Sequence, residues 1–206
     1  MAKWICHPLD NKDSRLVPVF RRKFKVRKAP EKAMLRLTAH GIYEAELNGV
    51  SMTENKFMPG LTSYYTRIQV QEYDVAALLK EGSNELRVTV GDGWWRWNNN
   101  FGYTLALWGE LRLLYDDGSE ETLSTDESWE VGLGPILRTD LQKGEVYDAR
   151  MDKKETIILR SIFNIIFIRF IIFIRSIIFV RLRFIIFIWF IVFIKFIILS
   201  GSGPFY

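Results

Sequence analysis

Cysteine is nearly absent: Cys6 stands alone in a chain of 206 residues. That excludes an internal disulfide framework. His7 beside it makes a Cys–His pair on paper only, since adjacent side chains do not face each other across a catalytic gap. The N-terminus, MAKWICHPLD, lacks the apolar run of a secretory signal. With the unpaired cysteine, this sets a cytoplasmic expectation. Long uncharged stretches are also missing. The longest within the apolar C-terminal part, 184–194, has 11 residues, short of the roughly 20 that a membrane-crossing helix needs. The length fits one domain, or one and a half, and suffices to bury a core.

The net charge of +4 and the pI of about 9.1 hint at an anionic partner, until the chain is divided. Residues 1–152 carry 20 basic and 23 acidic side chains, a net of −3. Residues 153–206 carry 8 basic and one acidic, a net of +7. The basic pI belongs to the tail, and a general nucleic-acid binder loses its support.

Residues 1–152 read as all-β. Strand candidates span 20–26, 33–39, 42–47, 67–73, 85–90, 103–115 and 121–123. In 42–47, Glu44 and Glu46 occupy one face; Tyr43, Ala45 and Leu47 occupy the other. Asn48-Gly49 and Asp117-Gly118 are hairpin signals, because these residues tolerate positive φ. One short helix is expected, with Asp74 as N-cap, Val75, Leu78 and Leu79 on one face, and Gly82 ending it. The basic group Arg21, Arg22, Lys23, Lys25, Arg27 and Lys28 reads as a solvated strand face or a charge-protected edge. Many short strands with close turns point to a jelly-roll, galactose-binding-like β-sandwich.

Six segments then occur in order: GIYEAELNGV (41–50), MPGLTSYY (58–65), YDVAALLKEGSN (73–84), GDGWW (91–95), DESW (126–129) and GEVYDAR (144–150). Together they resemble the N-terminal β-sandwich domain of bacterial α-L-rhamnosidases, glycoside hydrolase family 78, over about residues 4–150. The resemblance implies a parent enzyme that hydrolyses terminal α-L-rhamnose by inversion. It also implies that the general acid and base lie in an (α/α)₆ barrel that this chain lacks. An inverting pair needs two carboxylates about 6.5–9.5 Å apart. Spacing alone brings together no two of Glu110, Asp126, Glu127, Glu145 and Asp148. No catalytic residue is assigned. The expected role is a carbohydrate-binding or accessory module, with a rhamnosidase catalytic domain as partner in cis or in trans. The alternatives are a purely structural module and a membrane-associated protein acting through 156–199.

A pyranose site needs an aromatic platform beside polar side chains. The candidate is 91–103, with Asp92, Trp94, Trp95, Arg96, Trp97 and Asn98 as the sugar-binding set. An extended backbone would put Trp95 and Trp97 on one face and Trp94 and Arg96 on the other. The competing reading makes these tryptophans core residues. Some members of the resembled family bind rhamnose with calcium. Asp92 and Asn98 would supply the oxygen ligands that calcium prefers, although no calcium-loop spacing is present. Asn48, Thr62 and Tyr64 read as structural. Asp148 and Arg150, two apart, would share a strand face and pair.

From about residue 153 the composition changes to an Ile/Phe/Arg-rich tail with a loose six-residue repeat, as in IIFIRF, IIFIRS and IIFVRL. Three readings stand: a frame-shifted or repeat-derived, non-native sequence; a membrane-associated segment with snorkelling Arg and Lys; or added strands. In each, a β-branched, aromatic, proline-free tract is an aggregation hazard.

Overall fold

Alternation builds the strands. The computed structural model describes residues 1–97, 101–151 and, for the backbone alone, 159–160. The described residues belong to one unit, Met1–Phe163. Its strands are β1 (Ile5–Cys6), β2 (Pro18–Val26), β3 (Lys32–His40), β4 (Ile42–Leu47), β5 (Val50–Ser51), β6 (Gln71–Asp74), β7 (Gly82–Gly91), β8 (Ala106–Leu114), β9 (Glu120–Ser124), β10 (Glu130–Leu133), β11 (Ile136–Asp140), β12 (Gly144–Tyr147) and β13 (Leu159–Arg160). In β4 the predicted faces hold: Tyr43, Ala45 and Leu47 are buried, while Glu44 and Glu46 are exposed.

One sheet runs β1-β8-β3-β6, with β9 also paired to β8. A second runs β13-β10-β2-β7-β4-β5. A separate ribbon joins β11 to β12. Every pairing is antiparallel, as a sandwich of this kind requires. The core lies between the two main sheets. Leu35, Leu37, Leu107 and Leu111 come from one; Phe20, Leu86, Val88 and Val131 come from the other. Trp129 and Tyr115 are the largest fully buried side chains. Burying a side chain of this size contributes on the order of 1.5–3 kcal/mol.

The turn chemistry follows the residues. Asn48 and Gly49 have φ of 55° and 79°, the all-positive pattern of a type I′ turn, and Leu47 pairs with Val50 across it. Asn48 also donates through Nδ2 to Leu78 O and Asn84 Oδ1, each at 2.9 Å. This ties the hairpin to the segment before β7 and to β7 itself. Gly41 has φ of 133° and packs so closely that a Cβ there would lie 2.3 Å from Gly91 O.

Two expectations change in detail. The short helix is a single 3₁₀ turn, Ala76–Leu78, in which Asp74 Oδ1 accepts from Ala76 N at 3.1 Å. Gly82 does not end it but opens β7. The basic strand β2 is central, between β10 and β7, so its charges are a solvated face and not an edge device. Arg21 pairs with Glu130 at 2.9 Å and Lys23 with Glu85 at 3.7 Å. The backbone of Leu159–Arg160, inside the segment set apart by composition, pairs with β10. The repeat and membrane readings of the tail fall on residues outside those described. Among the described residues, no helix is long and apolar enough to cross a membrane.

Candidate functional site

The outward face of the six-stranded sheet forms the floor of a cleft. Alternation places Val19 of β2, Glu44 and Glu46 of β4, and Arg87 and Thr89 of β7 on this face. The β11–β12 ribbon forms one wall through Ile136, Thr139, Glu145 and Tyr147; Lys56 and Phe57 line the cleft as well. The cleft encloses about 530 Å³, within the roughly 300–1,000 Å³ usual for small-molecule sites.

Local chemistry fixes each wall. Thr139 Oγ1 accepts from Asp92 N at 2.7 Å, which ties the ribbon to the end of β7. Asp148 N donates to Pro135 O at 2.8 Å and closes its base. At its tip, Asp140 Oδ1 accepts from Gln142 N and Lys143 N, and these bonds hold its carboxyl below the usual range. Gly134 allows the ribbon to approach β2, since a Cβ would lie 3.0 Å from Val19 Cγ2. On the other side Tyr43 N donates to Met58 O at 2.8 Å. Lys56 Nζ pairs with Glu44 Oε1 at 2.8 Å, and the contact raises the lysine's pKa. Phe57 has φ of 62°, strained for a bulky residue, and the residue is 55 % exposed. It meets Trp94 edge-on at 6.3 Å. Tyr147 is 49 % exposed on the opposite wall. Arg87 makes no hydrogen bond or ion pair through its side chain among the described residues. The cleft therefore offers two aromatic surfaces, a guanidinium donor, and the Glu46 and Glu145 acceptors.

The sequence-selected segment 91–97 turns its polar groups inward. It is a turn, not an extended strand, because Asp92 and Arg96 close on each other: Arg96 Nη1 donates to Asp92 Oδ1 at 3.2 Å. Arg96 also pairs with Asp10 through Nη2 and donates to Leu16 O at 3.1 Å. The second Asp92 oxygen is held by Arg15. Asp10, Asp92 and Arg96 are 6, 1 and 3 % exposed. Asp92 and Arg96 thus spend their polar groups inside the protein. Asp92 does not fit a calcium ion, since both its oxygens carry a guanidinium; Asn98 lies outside the described residues. Among those residues no cluster of three or more His, Cys, Asp or Glu is arranged for a metal.

The tryptophans separate by depth. Trp95 is buried and stacks on His40 at 4.1 Å; His40 stacks on Trp4 at 4.2 Å. Tyr64 meets Trp95 edge-on at 5.1 Å. Burial pushes the Tyr64 hydroxyl up to about 12 and lowers the pKa of His40. Trp94 and Trp97 are half-buried. Of the described tryptophans in the predicted set, Trp94 adjoins the cleft, through Phe57.

Most of the carboxylates considered for catalysis have partners of their own. Glu110 pairs with Arg112 at 2.6 Å, Glu127 with Lys3 at 2.6 Å and Asp148 with Arg150 at 2.7 Å. Asp126 accepts from Ser128 N at 2.8 Å. The Asp148–Arg150 pair forms, but at the 3₁₀ turn Ala149–Met151 instead of on a strand. Sequence reasoning missed the cleft. Its signal was the polar alternation Glu44, Glu46, Arg87 and Thr89, which turns a sheet face towards something other than core.

The alpha-L-rhamnosidase N-terminal domain family matches residues 28–156. An alpha-L-rhamnosidase of Streptomyces avermitilis is 37 % identical over 131 residues, covering 61 % of this chain and 13 % of its own length. One from Formosa agariphila is 30 % identical over 169 residues, covering 73 % and 18 %. The native alpha-L-rhamnosidase structure from Aspergillus terreus superposes with a TM-score of 0.70 at 35 % identity, over 74 % of this chain and 19 % of that one. A Streptomyces avermitilis enzyme solved in complex with L-rhamnose gives 0.65 at 35 % identity, over 68 % and 14 %. The chain spans less than a fifth of the length of these relatives. On the family match and the shared sandwich, the chain belongs to the alpha-L-rhamnosidase N-terminal domain family.

Proposed function

We propose that this chain is a non-catalytic accessory module of an α-L-rhamnosidase, and that it holds a rhamnose-containing carbohydrate in the cleft on its six-stranded sheet. The cleft carries the reading. A pyranose has an apolar face suited to Tyr147 or Phe57, and a rim of hydroxyls suited to Arg87, Glu46 and Glu145. Its volume of about 530 Å³ admits one sugar with room for a second. Hydrolysis falls to a catalytic domain beyond this chain, joined to the sandwich or assembled with it.

Titration calorimetry of the full chain with L-rhamnose tests the proposal. Millimolar affinity, about −4 kcal/mol, is expected, weakened about tenfold by Arg87→Ala or Tyr147→Ala through loss of roughly 1–2 kcal/mol of hydrogen bonding or stacking. Arg87 is half-buried on the outward sheet face and Tyr147 is 49 % exposed, so a melting-temperature loss of only a few degrees is expected for each variant. Absence of heat at saturating millimolar sugar would remove the binding half of the reading.

A purely structural module is the second reading. The buried Asp10–Arg96–Asp92 network favours it for segment 91–97, whose polar groups serve the fold. It expects no sugar affinity, and co-purification with a separately supplied catalytic domain.

A further inference from the structure

Among the described residues the β11–β12 ribbon pairs with neither main sheet, so its stance over the sheet floor rests on side-chain and loop contacts. Within it, Thr139 stands directly opposite Glu145, and Ile136 opposite Tyr147. Ile136 and Thr139 are three apart, which on a regular strand sends them to opposite faces. The register shifts between Ile136 and Arg138. Such a bulge adds one residue to its strand and re-aims the side chains beyond it. Leu137 and Arg138 are exposed, while Ile136 and Thr139 are both half-buried and both line the cleft. The bulge thus gathers Ile136, Thr139, Glu145 and Tyr147 on the ribbon face that meets the sheet.

Thr139 carries that face to the body of the protein. Its Oγ1 accepts from Asp92 N at 2.7 Å. Asp92 is a firm anchor: it is 1 % exposed, and Arg15 and Arg96 hold its carboxylate. Gly91 is the seat beneath the threonine. A Cβ there would lie 3.0 Å from Thr139 Oγ1 and 3.2 Å from its Cγ2, so the bare backbone lets Thr139 come down onto the Asp92 amide. Residues directly opposite in an antiparallel pair keep their Cβ atoms about 4.5–5.5 Å apart. Glu145 therefore moves with Thr139, and Tyr147, two residues on along the same face, follows.

We infer that Thr139 is a positioning residue for the cleft. Through Asp92 N it sets where Glu145 and Tyr147 stand over Arg87 and the sheet floor, and so how well a sugar ring fits between wall and floor. The inference rests on the proposed cleft reading for its sugar half; the anchoring of the ribbon is measured without sugar.

Amide NMR of the full chain, well below its melting point, tests both halves. Without sugar, Thr139→Val is expected to speed hydrogen exchange at the Asp92 amide about tenfold or more. It is also expected to lower the backbone order parameters of Glu145 and Tyr147. Thr139→Ser keeps the oxygen and is expected to behave as the parent chain does. In titrations with L-rhamnose, Thr139→Val is expected to bind about fivefold more weakly or worse, because a loosened wall must be ordered on binding. Gly91→Ala keeps the hydroxyl but drives the threonine outward, and is expected to weaken binding in the same way. Thr139→Ser, and Lys143→Ala at the exposed ribbon tip, are expected to leave it unchanged. Parental exchange and order parameters in Thr139→Val would overturn the anchoring. A loosened ribbon with undiminished rhamnose affinity, or an equal loss of affinity in Thr139→Ser, would overturn the positioning role. A parent chain that binds no rhamnose, with a ribbon that still loosens in Thr139→Val, would sink the cleft reading and the sugar half of this one while supporting the anchor.

Discussion

Replacing Arg96 by methionine probes the most heavily bonded charge in the fold. The guanidinium side chain is 2 % exposed, and its partners Asp10 and Asp92 are 0 and 2 % exposed at their side chains. Arg96 joins both carboxylates and two carbonyls, Leu16 O and Tyr103 O. Methionine keeps much of the volume and removes every one of these donors. Asp10 retains Leu105 N at 2.8 Å and Leu16 N at 3.0 Å, and Asp92 retains Arg15. The loss is therefore that of a broken buried pair, about 3–5 kcal/mol, against a total stability of roughly 5–15 kcal/mol for a domain. At about 2–4 °C per kcal/mol for this size, the melting point should fall by roughly 6–20 °C. Urea unfolding followed by tryptophan fluorescence reads the change directly. Because the network spans 10–105, the 91–97 turn should also loosen and expose Trp95, shifting its emission to the red before global unfolding. A loss below about 1 kcal/mol, the size of a surface pair, would refute the assignment of this network as a buried structural pin.

Trp95→Ala should cost about 3–5 kcal/mol in the same assay, while Trp94→Ala, half-buried at the cleft rim, should cost about 1 kcal/mol or less. Gly41→Ala should destabilise by about 2 kcal/mol or more, since the new Cβ must displace Gly91 O and the residue must hold a positive φ; a thermal melt checks it, and a neutral outcome would contradict the packing. Burial lowers the pKa of both His7 and His40 from 6.5. The unfolded chain then binds more protons as pH falls below about 6.5, so stability is full above that value and declines towards pH 5. Urea midpoints at pH 7.5, 6 and 5 should show the decline, and His40→Gln should flatten it.

The strands were legible because they alternate against a single core. Tyr43, Ala45 and Leu47 against Glu44 and Glu46 gave the face of β4, and Asn48-Gly49 gave its turn. The glycines of segment 91–97 announced a tight loop, but local pattern cannot show that Asp92 and Arg96, one helical turn apart, close on each other around Asp10, a residue 86 positions from Arg96. The tryptophan alternation then lost its meaning: Trp95 turned inward onto His40, while Trp94 stayed near the surface. The cleft was invisible for a similar reason. Its floor comes from β2, β4 and β7, its walls from 56–57 and 136–147, and only the assembled sheet order brings them together. Glu145 and Arg87 carried a signal as polar residues on strands, but nothing in sequence said that they share one hollow.

The most direct test of the account is a two-dimensional amide NMR titration of the full chain with L-rhamnose. Cleft binding predicts shifts that map to Thr89, Thr139, Glu145 and Tyr147, with Arg96 and Leu105 unmoved. No shifts at millimolar sugar, or shifts confined to the 91–97 turn, would contradict it.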